Sequence, residues 1–125
     1  MMIEYVVPGR PLSQPRPRVT RRGVFNPAPY TAYKREAAVH AQVAALELEG
    51  RGEPWDPHRK AYALRLRFWM PDNKSTDIDK LLATQFDAIT LAGLWSDDRY
   101  CKCVRMSREV DADDPRVEVC LEVAT

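Results

Sequence analysis

The sequence predicts a single α/β (α+β) domain over residues 1–125, with two helices packed on a mixed four-stranded sheet in the order βαβαββ. Three observations predict it. The chain has 125 residues, 45% of them hydrophobic and 30% charged, which suits one globular core. Apolar residues alternate along several short stretches, as they do in half-buried strands. Two longer stretches are rich in helix formers and are followed by glycine.

The N-terminal stretch IEYVV (3–7) is apolar and β-branched, and Pro8 and Gly9 end this first predicted strand. The segment that follows, GRPLSQPRPRVTRRGVFNPAPY, holds too many prolines for a helix. We therefore predict an extended basic arm over residues 8–30, with a small hairpin around Arg22 and Gly23.

The first helix is predicted over residues 31–48, because TAYKREAAVHAQVAALEL is rich in helix formers and Gly50 follows it. Its apolar residues recur with a helical period; they include Tyr33, Ala37, Val39, Val43 and Leu46.

The second half begins with a strand at 62–69, where apolar residues alternate with Ala63, Arg65, Arg67 and Trp69. Residues 71–76 form a turn, and a second helix should run over 77–92, closed by Gly93. Two strands follow at 99–109 and 116–123, joined by the turn-forming stretch DADDP (111–115).

On a helical wheel, the second helix carries a broad apolar face and a polar face formed by Asp79, Lys80, Ala83 and Asp87. Ser75, Thr76 or Asp77 can serve as its N-cap. A purely structural interpretation is therefore open, since acidic residues in a first turn complement the helix dipole and its free N–H groups.

Charge is distributed unevenly along the chain. Residues 10–35 contain seven basic residues and no acidic residue, whereas residues 61–125 contain nine basic and twelve acidic residues, a net charge of −3. This asymmetry indicates that the basic segment holds a polyanion against a carboxylate site. The alternative is that the basic segment is only a solvated charged loop. No stretch is long and apolar enough to span a membrane, and no signal peptide is evident, so we expect a cytoplasmic protein.

The three cysteines are Cys101, Cys103 and Cys120, an odd number that argues against a disulfide framework. Cys101 and Cys103 are two residues apart in a predicted strand, so they should share a face and serve as small buried hydrophobic residues. A zinc-binding module built on the three cysteines is the alternative.

Acidic residues flank the second helix at both ends. If Asp77, Asp79 and Asp98 converge, three hard oxygen ligands favour Mg²⁺, and the basic arm completes the pattern of a metal-dependent nuclease. A βαβ unit can bring its loops together or leave them at opposite ends of the sheet, and periodicity does not decide between these.

The stretch DIDKLLATQFDAITLAGLWSDD (77–98) resembles the signature of the RusA family of Holliday junction resolvases, found in bacteria and prophages. That family pairs D-x-D-N with a downstream D-A-L-x-x-A-G-x-W-x-D-D. The opening PGRPLSQPRPR (8–18) is similar to the P-x-S-x-x-R-P-R start of many phage-type members.

The resemblance implies a homodimer that binds four-way DNA junctions and makes paired, symmetric nicks with Mg²⁺ or Mn²⁺ during recombination and repair. It implies Asp77, Asp79 and Asp98 as metal ligands and catalytic residues. Asp87 and Asp97 match acidic positions of the motif, and their candidate role is to orient the metal ligands.

Basic and aromatic side chains are the candidates for contacts with DNA. Phosphate contacts are expected from Arg16, Arg18, Arg21 and Arg22 of the arm, and from Arg65 and Arg67 on one strand face. Trp69 and Trp95 are candidates for stacking on bases, with core packing as the alternative for Trp95.

Two positions depart from the family pattern. Lys80 stands where the motif has Asn, and Ala83 stands where a functional lysine is frequent. Lys80 either supplies the displaced charge near the scissile phosphate, as a catalytic residue, or is a surface lysine. The alternatives to a resolvase are a catalytically weak or inactive junction-binding protein of the same fold, and a metal nuclease acting on flaps or duplex.

Overall fold

The computed structural model describes residues 1–16, 18–74 and 76–124, and only the backbone of Arg18 and Phe25. The described elements are the strands β1 (Met2–Pro8), β2 (Arg18–Thr20), β3 (Gly23–Phe25), the helix α1 (Ala28–Gly50), β4 (Tyr62–Met70), α2 (Ile78–Ala92), a short 3₁₀ turn (Asp98–Tyr100), β5 (Cys101–Val110) and β6 (Arg116–Val123).

Four strands form one mixed sheet in the order β1-β6-β4-β5. β6 pairs antiparallel with both β1 and β4, whereas β4 and β5 are parallel. Parallel neighbours need a crossover connection, and α2 provides it. β2 and β3 form a separate antiparallel hairpin, as predicted around Arg22 and Gly23. The predicted mixed sheet and element order are therefore confirmed.

Both helices contribute to one core with the sheet. Alternate residues of β4 are buried, from Tyr62 to Met70. α1 packs on β1 and α2 mainly through small residues, which let the helix approach closely: Ala37, Ala41 and Ala44, with Leu48 one turn further on. Val39, Val43 and Leu46, which contribute to the helical period of the sequence, do not face the core, since these side chains are 54%, 46% and 64% exposed.

α2 is bounded as the sequence predicts. Asp77 occupies the N-cap position, and Gly93, with φ 77°, ends the helix in the left-handed conformation that glycine adopts without strain. The chain then turns back and buries Trp95, whose ring meets Tyr62 and Phe86 edge to face. The indole N–H donates to the hydroxyl of Thr90 at 2.7 Å, so core packing is the structural role of Trp95.

Two elements start two or more residues away from their predicted positions. α1 begins at Ala28 rather than residue 31, because Pro29 lies in its first turn, where no N–H donor is needed. A 3₁₀ turn replaces the first residues of the strand predicted from residue 99, so β5 starts at Cys101.

The cysteines also differ from the prediction. A shift in register at the start of β5 pairs Cys101 with Tyr62 and Cys103 with Ala63. The two side chains therefore lie on opposite faces. Cys101 packs against the core, whereas Cys103 is exposed beside Ala63 and Arg65 on the face away from the helices. Among the described helices, none is long and apolar enough to cross a membrane.

Candidate active site

One acidic group lies at the N terminus of α2. Asp77 and Asp79 are exposed, and the Asp77 side chain makes no capping hydrogen bond. The Nζ atom of Lys80 lies 3.7 Å from Oδ2 of Asp77, with both side chains at least half exposed. Ala83 follows one turn further on. The carboxylates are thus open to solvent, and Lys80 provides positive charge beside one of them.

A second acidic group lines a pocket beside the middle of α2. This acidic pocket is lined by Lys34, Asp87, Thr90, Leu91, Asp97 and Asp98. The reversal at Gly93 and the burial of Trp95 return the chain toward α2, which places Asp97 and Asp98 near Asp87. Asp97 accepts a hydrogen bond from the backbone N–H of Arg99 at 2.9 Å and thereby caps the 3₁₀ turn.

Electrostatics in the acidic pocket are unfavourable for three ionised carboxylates. Partial desolvation, followed by the charge of Asp97 and then that of Asp87, raises the pKa of Asp98 above its ordinary value. A cation in this pocket would relieve the repulsion. The donors are carboxylate oxygens, the ligands that Mg²⁺ and Mn²⁺ prefer, so the chemistry of the pocket fits such an ion.

The two acidic groups are separate within one chain. Asp77 precedes Asp87 by ten residues, which corresponds to about 15 Å along the helix axis. Asp98 has Asp97 and Asp87 as its charged neighbours. The structure therefore brings Asp98 together with Asp87 and Asp97, and it does not bring Asp77 and Asp79 to the same point. Among the described residues, no three His, Cys, Asp or Glu side chains form a cluster that already has the geometry of a metal site.

Asp87 connects the acidic pocket to the basic arm. Its Oδ2 atom accepts hydrogen bonds from the hydroxyl of Tyr30 at 2.7 Å and from Nε2 of Gln14 at 3.0 Å. The backbone N–H of Gln14 also donates to the carbonyl of Lys80 at 3.0 Å. Burial and the adjacent Asp87 raise the pKa of Tyr30 to about 12, so this hydroxyl keeps its proton. One carboxylate therefore holds both ends of the hairpin-forming segment.

The arginines of the arm project from this anchored segment. Arg16, Arg21 and Arg22 are exposed, with Arg21 and Arg22 at the turn between β2 and β3. The side chain of Arg18 lies outside the described part of the structure, although its backbone is in β2. The arm is thus attached to Asp87 of the acidic pocket by Gln14 and Tyr30, and its exposed arginines lie on the segment between these two contacts.

The other predicted DNA contacts lie elsewhere. Arg65 and Arg67 are exposed on β4, on the sheet face away from the helices, where Glu4 and Glu118 are their neighbours. Their side chains are therefore separated from the acidic pocket by the sheet. Trp69 lies on this same face, where its indole N–H donates to Glu118 at 2.6 Å.

Sequence reasoning missed three residues of this region: Gln14, Tyr30 and Lys34. No spacing in the sequence marks them, because Gln14 and Tyr30 reach Asp87 across separations of 73 and 57 residues. Lys34 follows Tyr30 by one helical turn, with its Nζ 5.5 Å from the centre of the Tyr30 ring. These contacts arise from the tertiary packing of α1 and the arm on α2.

A small α+β domain with a basic arm beside clustered carboxylates has the features of a nuclease that acts on DNA. The family model of endodeoxyribonuclease RusA matches residues 8–122. The chain therefore belongs to the RusA endodeoxyribonuclease family, whose members act on junction DNA in recombination and generally depend on divalent metal ions. A search among curated proteins finds no matching sequence.

Proposed function

We propose that this chain is a Mg²⁺-dependent endonuclease that resolves four-way DNA junctions by paired symmetric nicks, in DNA recombination and repair. Mn²⁺ can replace Mg²⁺, and residues 1–125 act as one nuclease domain that includes the arm at 8–30. The main support is the pair of hydrogen bonds that Tyr30 and Gln14 donate to Asp87, because they attach the basic arm to the acidic pocket. Because the proposed substrate is DNA, we place the reaction in the cytoplasm. A prophage is the proposed source of the gene.

We propose Asp77, Asp79 and Asp98 as metal ligands and catalytic carboxylates, on the strength of the motif that contains them. Because one chain holds Asp77 and Asp79 apart from Asp98, the two groups would bind separate ions or would meet across the proposed dimer. When bound, a divalent cation supplies positive charge to the scissile phosphate and lowers the pKa of a water molecule. An ion held within a single chain at Asp98 has Asp87 and Asp97 as its nearest further carboxylates. Substituting each aspartate separately, and measuring metal binding and junction cleavage, tests which of them bind the metal ion.

Binding of the phosphate backbone is proposed for the exposed arginines of the arm, Arg16, Arg18, Arg21 and Arg22. Each neutralised phosphate releases counterions, so affinity should fall steeply with salt. Arg65 and Arg67 extend the proposal to the open sheet face, where they would meet a second segment of the branched DNA. A four-way junction has two equivalent scissile phosphates, which suits a homodimer with a two-fold axis.

A second candidate function is junction binding with weak or no cleavage. Lys80 replaces the asparagine of the motif and lies beside Asp77, while Ala83 replaces the frequent lysine. If Lys80 does not act as the catalytic cation, the chain keeps its DNA contacts but lacks that charge near the scissile phosphate.

The test is cleavage of a labelled synthetic four-way junction in Mg²⁺, in the presence of an excess of linear duplex. We expect paired nicks at symmetric positions, which ligase can reseal, and no cleavage without a divalent cation. Equal cleavage of junction and duplex would identify a different nuclease activity. Tight junction binding without cleavage would establish the second candidate.

A further inference from the structure

Three cations surround a single tyrosine at the start of β5. The hydroxyl of Tyr100 accepts hydrogen bonds from Nη2 of Arg99 at 2.9 Å and from Nζ of Lys60 at 3.3 Å. Lys60, Arg99 and Lys102 also lie 4.5, 4.9 and 6.0 Å from the centre of the Tyr100 ring. We call these four residues the Tyr100 cluster.

The cations of the Tyr100 cluster make no ion pair among the described residues, although the negative charge of Asp97 acts on Arg99. In the part of the chain that the structure describes, the cations in ion pairs are His40, Arg59, Lys80 and Arg116. Lys60, Arg99 and Lys102 instead use the tyrosine ring, its hydroxyl and a backbone carbonyl. Three exposed like charges held around one ring repel each other, and an anion would relieve that repulsion.

The position of the Tyr100 cluster relates it to the acidic pocket. Arg99 and Tyr100 follow Asp98 directly in the 3₁₀ turn, whereas the basic arm meets the pocket through Asp87 on α2. Two separate elements that carry basic residues, the 3₁₀ turn and the basic arm, are thus connected to the acidic pocket. DNA carries a negative charge at every phosphate, so it can contact basic residues on both elements.

We propose that Lys60, Arg99 and Lys102 bind the phosphate backbone of DNA, at a site separate from the basic arm. The site reads no base sequence, because its groups are charged donors suited to phosphate oxygens. The Tyr100 ring keeps the cations together through cation–π contacts and its hydroxyl. This inference rests on the proposed function, since it takes junction DNA as the ligand.

The experiment measures the affinity of the full chain for a four-way junction without divalent cations, over a range of salt concentrations. Each phosphate contact contributes about 0.9 to the slope of log affinity against log salt. The triple variant with Lys60→Gln, Arg99→Gln and Lys102→Gln should lose about two to three units of slope. Arg59→Gln is the matched control, because Arg59 is adjacent but paired with Asp56 at 3.3 Å.

A further variant tests whether the Tyr100 hydroxyl positions the cations, without changing their charge. Tyr100→Phe keeps the ring and all three cations but removes the hydroxyl that Lys60 and Arg99 contact. We expect it to weaken binding several-fold without changing the slope. Thermal melting confirms that each variant is folded before its affinity is compared.

The outcomes distinguish this inference from the proposed function. If the wild type binds the junction and the triple variant retains its slope, the Tyr100 cluster does not bind phosphate, and the proposed function stands. If the wild type does not bind the junction at all, both proposals fail.

Discussion

The hydroxyl of Tyr30 donates a 2.7 Å hydrogen bond to Oδ2 of Asp87, and thereby links the start of α1 to the middle of α2. Gln14 contacts the same oxygen from the other end of the arm. An aspartate of the family motif thus positions the arm, a role that the motif alone does not indicate.

Tyr30→Phe should loosen the basic arm. The variant removes a part-buried hydrogen bond to a charged acceptor, a kind of interaction worth about 1.5–3 kcal/mol. We expect a lower melting temperature and faster tryptic cleavage after Arg21 and Arg22. Limited proteolysis followed by mass spectrometry measures the cleavage. Unchanged rates at these arginines would show that Asp87 does not anchor the arm.

Asp98→Asn should stabilise the metal-free protein at neutral pH. Partial desolvation, Asp97 and Asp87 raise the pKa of Asp98, so the folded chain holds this proton more tightly than the unfolded chain. The stability of the wild type therefore falls as the pH rises through the raised pKa. The advantage of the variant should shrink as the pH approaches the ordinary Asp value of about 3.9.

Thermal or urea unfolding at several pH values, in EDTA, measures this difference. Asp113→Asn is the control, since Asp113 is exposed in the turn between β5 and β6. A wild type that is more stable than Asp98→Asn at pH 7 would contradict the proposed repulsion.

Mg²⁺ should stabilise the wild type through Asp98. A ligand that binds only the folded state at ten times its Kd adds about 1.4 kcal/mol to the free energy of unfolding. We expect millimolar Mg²⁺ to raise the melting temperature of the wild type and of Asp113→Asn, with a smaller shift for Asp98→Asn. Equal shifts in all three proteins would indicate binding that does not involve Asp98.

Trp95→Ala should destabilise the fold without a specific effect on DNA binding. Trp95 is 1% exposed and contacts Thr90, Tyr62 and Phe86, so its truncation should cost about 3–5 kcal/mol. Urea unfolding measures the loss. Junction affinity, measured below the melting temperature and corrected for the folded fraction, should match that of the wild type. A specific loss of affinity would instead favour base stacking by Trp95.

Much of the fold follows from local signals in the sequence. Gly93 fixes the end of α2, and the alternation in β4 and β6 fixes both strands, because one face of each must be buried. The exposure of Val39, Val43 and Leu46 was not predictable in this way. α1 carries apolar residues on two faces, and alanines pack more closely on the core than the larger residues would.

The candidate site was predictable only in part. Asp98 was identified by its motif, but its neighbours Asp87 and Asp97 depend on the reversal after Gly93 and the burial of Trp95. The separation of Asp77 from this group depends on the length of α2 and on the parallel pairing of β4 with β5. Helical periodicity contains no information about either.

The most direct test of the account compares Asp98→Asn with Asp113→Asn for binding and cleavage of a labelled four-way junction in Mg²⁺. Both variants should bind like the wild type; Asp113→Asn should make the paired nicks, whereas Asp98→Asn should leave the junction whole. Cleavage by Asp98→Asn at the rate of the wild type would contradict the account.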